Sequence, residues 1–253
     1  MPMLTGAKVM AQMLDGYGVT DIFHVPAILR RTMVELEAST SIRRIRTHGE
    51  KSAAYMADGY ARASRRPGIC MAQTVGGLNL AAGLRDSFLA HSPVIAMTGG
   101  RDPATKFRKV YQQVDDVPAY DGVTKFNATV DAVERFPDMV RQAFRTAVSG
   151  APGPVHLQFR GNEGQIDQEE ADMEPVVEEL FAQVPPFRPE PDAASVTRAV
   201  EVLQAAEKPV IVAGGGVRWS GAAEVVVALA EKHQIPVATS LNGKDTIPGG
   251  HPL

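Results

Sequence analysis

The chain has 253 residues, 44% hydrophobic and 22% charged, with a formal net charge of −3 and a pI near 6.1. That balance is ordinary for a globular protein in water and offers no basic patch, which argues against nucleic acid as a partner. A single cysteine excludes an internal disulfide and a cysteine-only metal site. No run approaches the roughly 18 apolar residues that cross a bilayer.

Helix and strand signals alternate along the chain. Thr5 caps a first helix that carries Val9, Met10, Met13 and Leu14 at helical spacing. VTDIFHV (19–25) predicts a strand closed by Pro26, and 28–38 a helix. IRRIR is a short strand and 50–64 the next helix; GICMAQT (68–74) is a buried strand, then come a Gly-rich turn and a helix over 78–90. SPVIAMTGG (92–100) is a further strand. Residues 133–149 form an amphipathic helix with Phe136, Met139, Val140, Phe144 and Val148 inward, and GPVHLQF (153–159) is the last strand of the series. Repeated strand–helix pairs imply parallel strands with covering helices, and continuous apolar strands such as VIAM fit a sheet buried on both faces. One α/β domain is therefore expected over 1–160. The acidic, proline-rich stretch 161–192 reads as a solvated linker. A second pattern starts near 193, with a helix at 194–206, the strand PVIVAGGG, a helix at 221–233 and the strand IPVATS. Two strands are too few for a sheet buried on both faces. The expected fold is thus an α/β parallel-sheet sandwich with helices on both faces, followed by an incomplete second α/β domain over 193–253. The N-terminal stretch lacks the apolar core and cleavage site of a signal peptide, so a cytoplasmic location is expected.

Ligands of open α/β sheets sit at the carboxyl ends of strands. VPAIL, THGE, TVGGLN and TGGRD all fall at such ends. Gly76 and Gly77 allow a close backbone approach. TVGGLN is not a GxxxxGK phosphate loop, and AGGGVRWSG fails GxGxxG because Trp219 takes the third glycine's place. Glu50 stands in the first turn of its helix, where the helix dipole favours an acid. The six histidines make no HxxxH or HExxH spacing, so no metal site is expected, although His24 and His48 lie at strand ends. Cys70 sits in an apolar run and reads as a core thiol. The absence of a Gly-x-Ser-x-Gly elbow removes the common serine-hydrolase reading.

Taken together, these pieces resemble thiamine-diphosphate enzymes of the acetolactate synthase type. HGEKSAAYMADGYAR resembles the family's Glu-x-x-Ala-Ala-x-x-Ala-Asp-Gly-Tyr-Ala-Arg signature, and VYQQVDD its Phe-Gln-Glu-x-Asp segment. AVSGAPGPVHLQF resembles the end of its pyrimidine-binding domain, and EKPVIVAGGGVRWSGA with IPVATSLNGKDTIPGGHPL the first half of its central domain. The resemblance implies that Glu50 hydrogen-bonds the cofactor's aminopyrimidine ring and promotes the tautomer that generates the ylid, which attacks a 2-keto acid. It implies further cofactor contacts from Pro26, Gly76, Gly77 and Asn79, and substrate-side positions at His24, Ile28 and Gln112. Gly214, Gly215 and Gly216 match the place where acetolactate synthases hold FAD, which leaves FAD as an option.

The departures are specific. The family's Phe-Gly-x-Pro-Gly-Gly is here FHVPAI, with His24 and Ala27 for glycines; its Thr-Ser-Gly-Pro-Gly-Ala-Thr-Asn loop is the shorter TVGGLN; and Gln113 replaces a glutamate. The family anchors the diphosphate and Mg²⁺ on a module carrying Gly-Asp-Gly, and no Gly-Asp-Gly occurs here. The resemblance therefore implies a partner, a diphosphate-binding subunit in a homo- or hetero-oligomer. Two other readings stay open at this point, a truncated non-catalytic fragment and a nucleotide-binding module using VAGGG.

Overall fold

The computed structural model describes residues 3–253, which divide into two compact units, one ending at Pro186 and one spanning Phe187–Leu253. The first unit runs β1 (Met3–Thr5), α1 (Gly6–Gly16), β2 (Asp21–His24), α2 (Arg30–Ser39), β3 (Arg43–Arg46), α3 (Glu50–Ser64) and β4 (Gly68–Ala72). It continues through α4 (Gly77–Gly83), α5 (Arg85–Leu89), β5 (Val94–Gly99), β6 (Phe126–Val130), α6 (Phe136–Val148), β7 (Val155–Phe159) and β8 (Glu170–Asp172). The second unit contains α7 (Ala193–Ala205), β9 (Ile211–Ala213), α8 (Gly215–Ser220), α9 (Ala223–His233) and β10 (Val237–Thr239).

Six strands form one wholly parallel sheet in the order β3-β2-β4-β5-β7-β6. The α/β expectation holds. The path steps outward from β2 to β3 and then crosses back to β4, so the strand order reverses between β2 and β4. That reversal opens a crevice at the carboxyl ends of those two strands. Helices α1, α2 and α6 pack together, and α3, α4 and α5 pack together, as the two covering layers. The two layers use different chemistry. Beneath α1 and α6 the fill is bulky, with Tyr17 stacked on Phe144 at 3.8 Å between centroids and Phe136 edge-on to Phe159. Beneath α3 it is small: Ala53, Ala54 and Ala57 are fully buried against Cys70, Ala72 and Leu80, which brings that helix close to the sheet. Thr5 caps α1 as expected, its hydroxyl accepting from the Lys8 amide at 3.2 Å.

Three expectations are corrected. The helix expected over 78–90 is broken at Leu84 into α4 and α5. An unforeseen edge strand, β6, lies beyond β7, so the strand at 155–159 is internal. Much of the stretch expected as a solvated linker belongs to the first unit. β8 pairs antiparallel with β1, and Ile166, Ala171, Met173, Ala182 and Val184 are buried. The first unit therefore extends to Pro186 rather than ending at 160. The segment after β7 forms a strap across the strand ends. Gly161 O accepts from Gly100 N at 2.8 Å, Asn162 O from Thr74 N at 3.0 Å, and Glu163 O from Leu29 N at 2.7 Å. The strap thus ties the loops that follow β5, β4 and β2 in succession.

In the second unit β9 and β10 make a two-stranded parallel sheet. Ala213, Trp219, Ala230 and Ile235 are buried there, whereas Val212 and Val225 are about three-quarters and seven-tenths exposed (74% and 70%). Helix α7 buries none of its residues.

Candidate active site

Glu50 is the first residue of α3 and follows β3 through a three-residue turn. Gly49, in extended conformation, is its N-cap and offers no side-chain cap, so the free amides of the first turn and the helix dipole favour the Glu50 carboxylate. The carboxylate reaches across to the turn that follows β4. Its Oε2 accepts from Asn79 Nδ2 at 3.3 Å. Its Oε1 lies on the backbone of Gly76, so close that a Cβ there would stand 2.4 Å away. Gly76 therefore forms a cradle that any larger residue fills.

The same turn is held from its other side. Residues 74–76 form one turn of 3-10 helix and Gly77 begins α4. A Cβ on Gly77 would stand 2.2 Å from Asp116 Oδ2. Asp116 is buried; its Oδ1 accepts from Gln158 Nε2 at 2.6 Å, and its Oδ2 has no hydrogen-bond partner among the described residues. Burial pushes the Asp116 carboxyl up to about 6, against the opposing pull of the Gln158 hydrogen bond. Tyr120, one turn on, donates its hydroxyl to Gly77 O at 2.6 Å and stacks on His156. His156 is fully buried. Asn127 uses its amide nitrogen on Val117 O and Asp121, so its oxygen accepts from His156 Nδ1–H, and Nε2 then accepts from the Thr98 hydroxyl. Burial holds this ring neutral, with a pKa of about 3.

The expected site residues divide accordingly. Glu50, Gly76, Gly77 and Asn79 come together as one constellation. Pro26 is exposed in the loop after β2. His24 ends β2, half-buried, with its Nδ1 unpartnered; burial, with Arg44 and Arg46, lowers its pKa. Ile28 was expected on the substrate side, but it is 1% exposed and belongs to the core. It sits between Ala27 and Leu29, both in the left-handed region with φ of 73° and 43°. Ala27 therefore takes the conformation for which a glycine is the unstrained choice. Gln112, also left-handed, accepts from Asn162 Nδ2 at 3.2 Å and is thereby joined to the strap. Gly214 caps and Gly215 and Gly216 start α8, a helix of six residues in the second unit, with open space at Gly216 and Asn242 against Gly215. No group of three or more metal-ligating side chains occurs among the described residues, and no described helix is long and apolar enough to cross a membrane. Asp116, Tyr120 and Asn162 also support this turn; of the three, only Asp116 lies in a segment singled out from the sequence, at the end of VYQQVDD.

Comparison with known proteins places these residues in context. Residues 4–119 match the family model described as thiamine pyrophosphate enzyme, N-terminal TPP binding domain, and residues 196–253 match its central domain. A probable acetolactate synthase large subunit from Methanocaldococcus jannaschii is 33% identical over 255 residues, covering 99% of this chain and 42% of that protein. The acetolactate synthase isozyme 1 large subunit of Escherichia coli is 32% identical over 98% of this chain and 43% of its own length. A probable 2-ketoarginine decarboxylase from Pseudomonas aeruginosa is 29% identical over 99% of this chain and 44% of its own length. A solved structure of a candidate thiamin diphosphate-dependent enzyme from Mycobacterium smegmatis superposes with a TM-score of 0.80 at 24% identity, over 94% of this chain and 45% of the other. The chain thus spans less than half the length of these relatives.

Proposed function

The chain belongs to the thiamine pyrophosphate enzyme family, and on that premise we propose that it is the pyrimidine-binding part of a lyase or carboligase of the acetolactate synthase type, acting on a 2-keto acid. The observation that carries this reading is the Glu50 carboxylate, half-buried at a helix start and seated on the Gly76 cradle. The aminopyrimidine end of thiamine diphosphate fits this donor set. Glu50 offers a carboxyl oxygen to a ring nitrogen, Asn79 orients that carboxyl, and the small residues Ala53 and Ala54 keep the α3–α4 seam narrow behind it. When bound, the cofactor supplies an electron sink for the carbanion left by loss of carbon dioxide. Glu50 holds or moves the proton at the ring nitrogen, a role worth about 10²–10⁴ in rate.

The diphosphate and Mg²⁺ do not fit residues of this chain. No Gly-Asp-Gly is present in these 253 residues, and no group of three or more metal-ligating side chains occurs among the described residues. We propose that those contacts come from a diphosphate-binding module outside these 253 residues, on a partner subunit or on a module missing from this stretch. The apolar surface beside Glu50 supports a partner there: Val75 is 55% exposed and Leu78 53%, both flanking the cradle. FAD finds less support, because α8 is short and only its glycines recommend it.

The test is Glu50→Gln in the enzyme assembled with its diphosphate-binding chain. Turnover of the 2-keto acid is expected to fall by about 10² or more, with the melting temperature unchanged. Undiminished turnover removes Glu50 from the mechanism.

A further inference from the structure

The Gly76–Gly77 turn is gripped on two sides by two carboxyl groups in unlike settings. Glu50 lies on Gly76 from the half-exposed side. Asp116 lies against Gly77 from within, 2% exposed, with Oδ1 fixed by Gln158 and Oδ2 set against Gly77 without a hydrogen-bond partner among the described residues. Asp116 also begins the 3-10 turn 117–120, its carbonyl accepting from Ala119 N at 3.0 Å. The Tyr120 hydroxyl in that turn holds Gly77 O. Two side chains from one short segment therefore seat the first residue of α4. Two residues further along, Asn79 binds Glu50.

We propose that Asp116 is a positioning residue for the Glu50 site: from the buried side it seats the Gly76–Gly77 turn where Glu50 and Asn79 meet, and it does so only while Oδ2 carries a proton. The proposal rests on reading Glu50 as the ligand-facing group. A neutral carboxyl packed against Gly77 leaves one polar atom unpaired, which costs less than burying a full charge there. When Oδ2 gives its proton to solvent, that oxygen has no hydrogen-bond partner among the described residues, and the buried charge is offset only by the Gln158 side chain and the Asp116 backbone amide. The side chain then relieves that charge by backing away from Gly77, and the turn loses its seat. The ionisable groups around Asp116 are few. Asp115 and Arg101 pair with each other at 3.0 Å, Tyr120 has a phenol that burial pushes well up, and His156 beyond that ring stays neutral. The Cys70 thiol on β4 is likewise pushed up by burial, and Glu50 lies across the turn.

The experiment is ¹H–¹⁵N NMR of the full chain from pH 4.5 to 8, following the Gly76 and Gly77 amides and the Asn79 side-chain amide, the last assigned by its loss in Asn79→Asp. The wild-type signals are expected to move together in one transition centred near the pH of about 6 to which burial pushes Asp116. In Asp116→Asn, whose neutral amide keeps the shape, they are expected to stay at their low-pH positions throughout. Wild-type signals that do not move, or a transition that persists in Asp116→Asn, overturn the proposal. Should that variant not fold, Gln158→Met removes the hydrogen bond that holds the carboxyl down, and the midpoint is expected to rise; an unmoved midpoint overturns it equally. No cofactor is present in this experiment, so its failure leaves the Glu50 reading to the turnover test, and failure of that test leaves this one standing.

Discussion

Replacing Gly76 with alanine pushes Glu50 aside without cutting into the core. The backbone there has φ −93° and ψ −4°, in the bridge region, where φ is negative and alanine is sparsely allowed rather than excluded. The new methyl group would stand 2.4 Å from Glu50 Oε1, 2.5 Å from Cγ and 2.6 Å from Cδ. Ordinary contact needs about 3.4 Å, so the carboxylate must retreat by roughly 1 Å, and a displacement of that size costs about 10² in rate, or about 2.7 kcal/mol of barrier. The displaced atoms are the far end of a half-exposed side chain, which can swing outward. The stability change is therefore expected to stay under about 1 kcal/mol, a shift of about 2–4 °C in melting temperature. Turnover of a 2-keto acid by the assembled enzyme, read beside a calorimetric scan, checks both halves. If Gly76→Ala turns over within about threefold of wild type while Glu50→Gln is inactive, the cradle argument is refuted; the threshold sits far below the 10² expected.

Gly68→Ala tests the opposite case, because its methyl group would meet the Ala57 carbonyl oxygen at 2.1 Å, and backbone there cannot swing away. A loss of about 3 kcal/mol in urea unfolding is expected as α3 is forced off β4, and a loss under about 0.5 kcal/mol refutes the close packing. His156 sets a pH dependence. Its pKa falls from 6.5 to about 3 on folding, so its contribution is complete above pH 6.5 and drains away as the pH drops toward 3. The full span is about 5 kcal/mol at 1.36 kcal/mol per unit, and His156→Gln is expected to flatten that part of the profile; an unchanged slope assigns it to other groups.

Where periodicity was strong, the chain could be read directly. The bounds of α3, 50–64, coincide with those observed, because an alanine-rich face and an acidic first turn mark both helix and start. The parallel sheet followed from the repeated strand–helix pairs. β6 escaped because an edge strand buries little: of FNATV only Val130 is buried. The 161–186 segment escaped because its net acidity pointed to water, while a few spaced residues such as Ile166, Ala171 and Met173 reach the core. The burial of Asp116 was invisible for a further reason. VYQQVDD stands out as a family-like segment, but nothing in it marks its last residue as buried, and the partner that permits burial, Gln158, lies 42 residues away. A buried polar group is legible only once its partner is.

The strap after β7 bears on how the chain is made. The loops it joins follow β2, β4 and β5, yet the residues that join them, Gly161, Asn162 and Glu163, leave the ribosome long after Glu50 and Gly76. β1, at the very start, waits longer still, for β8. During synthesis the Glu50 helix and its glycine turn therefore wait for the strap, which falls in about the last seventh of the unit to emerge. Such late, long-range closure makes for slow folding and a lengthy exposure of half-finished surfaces.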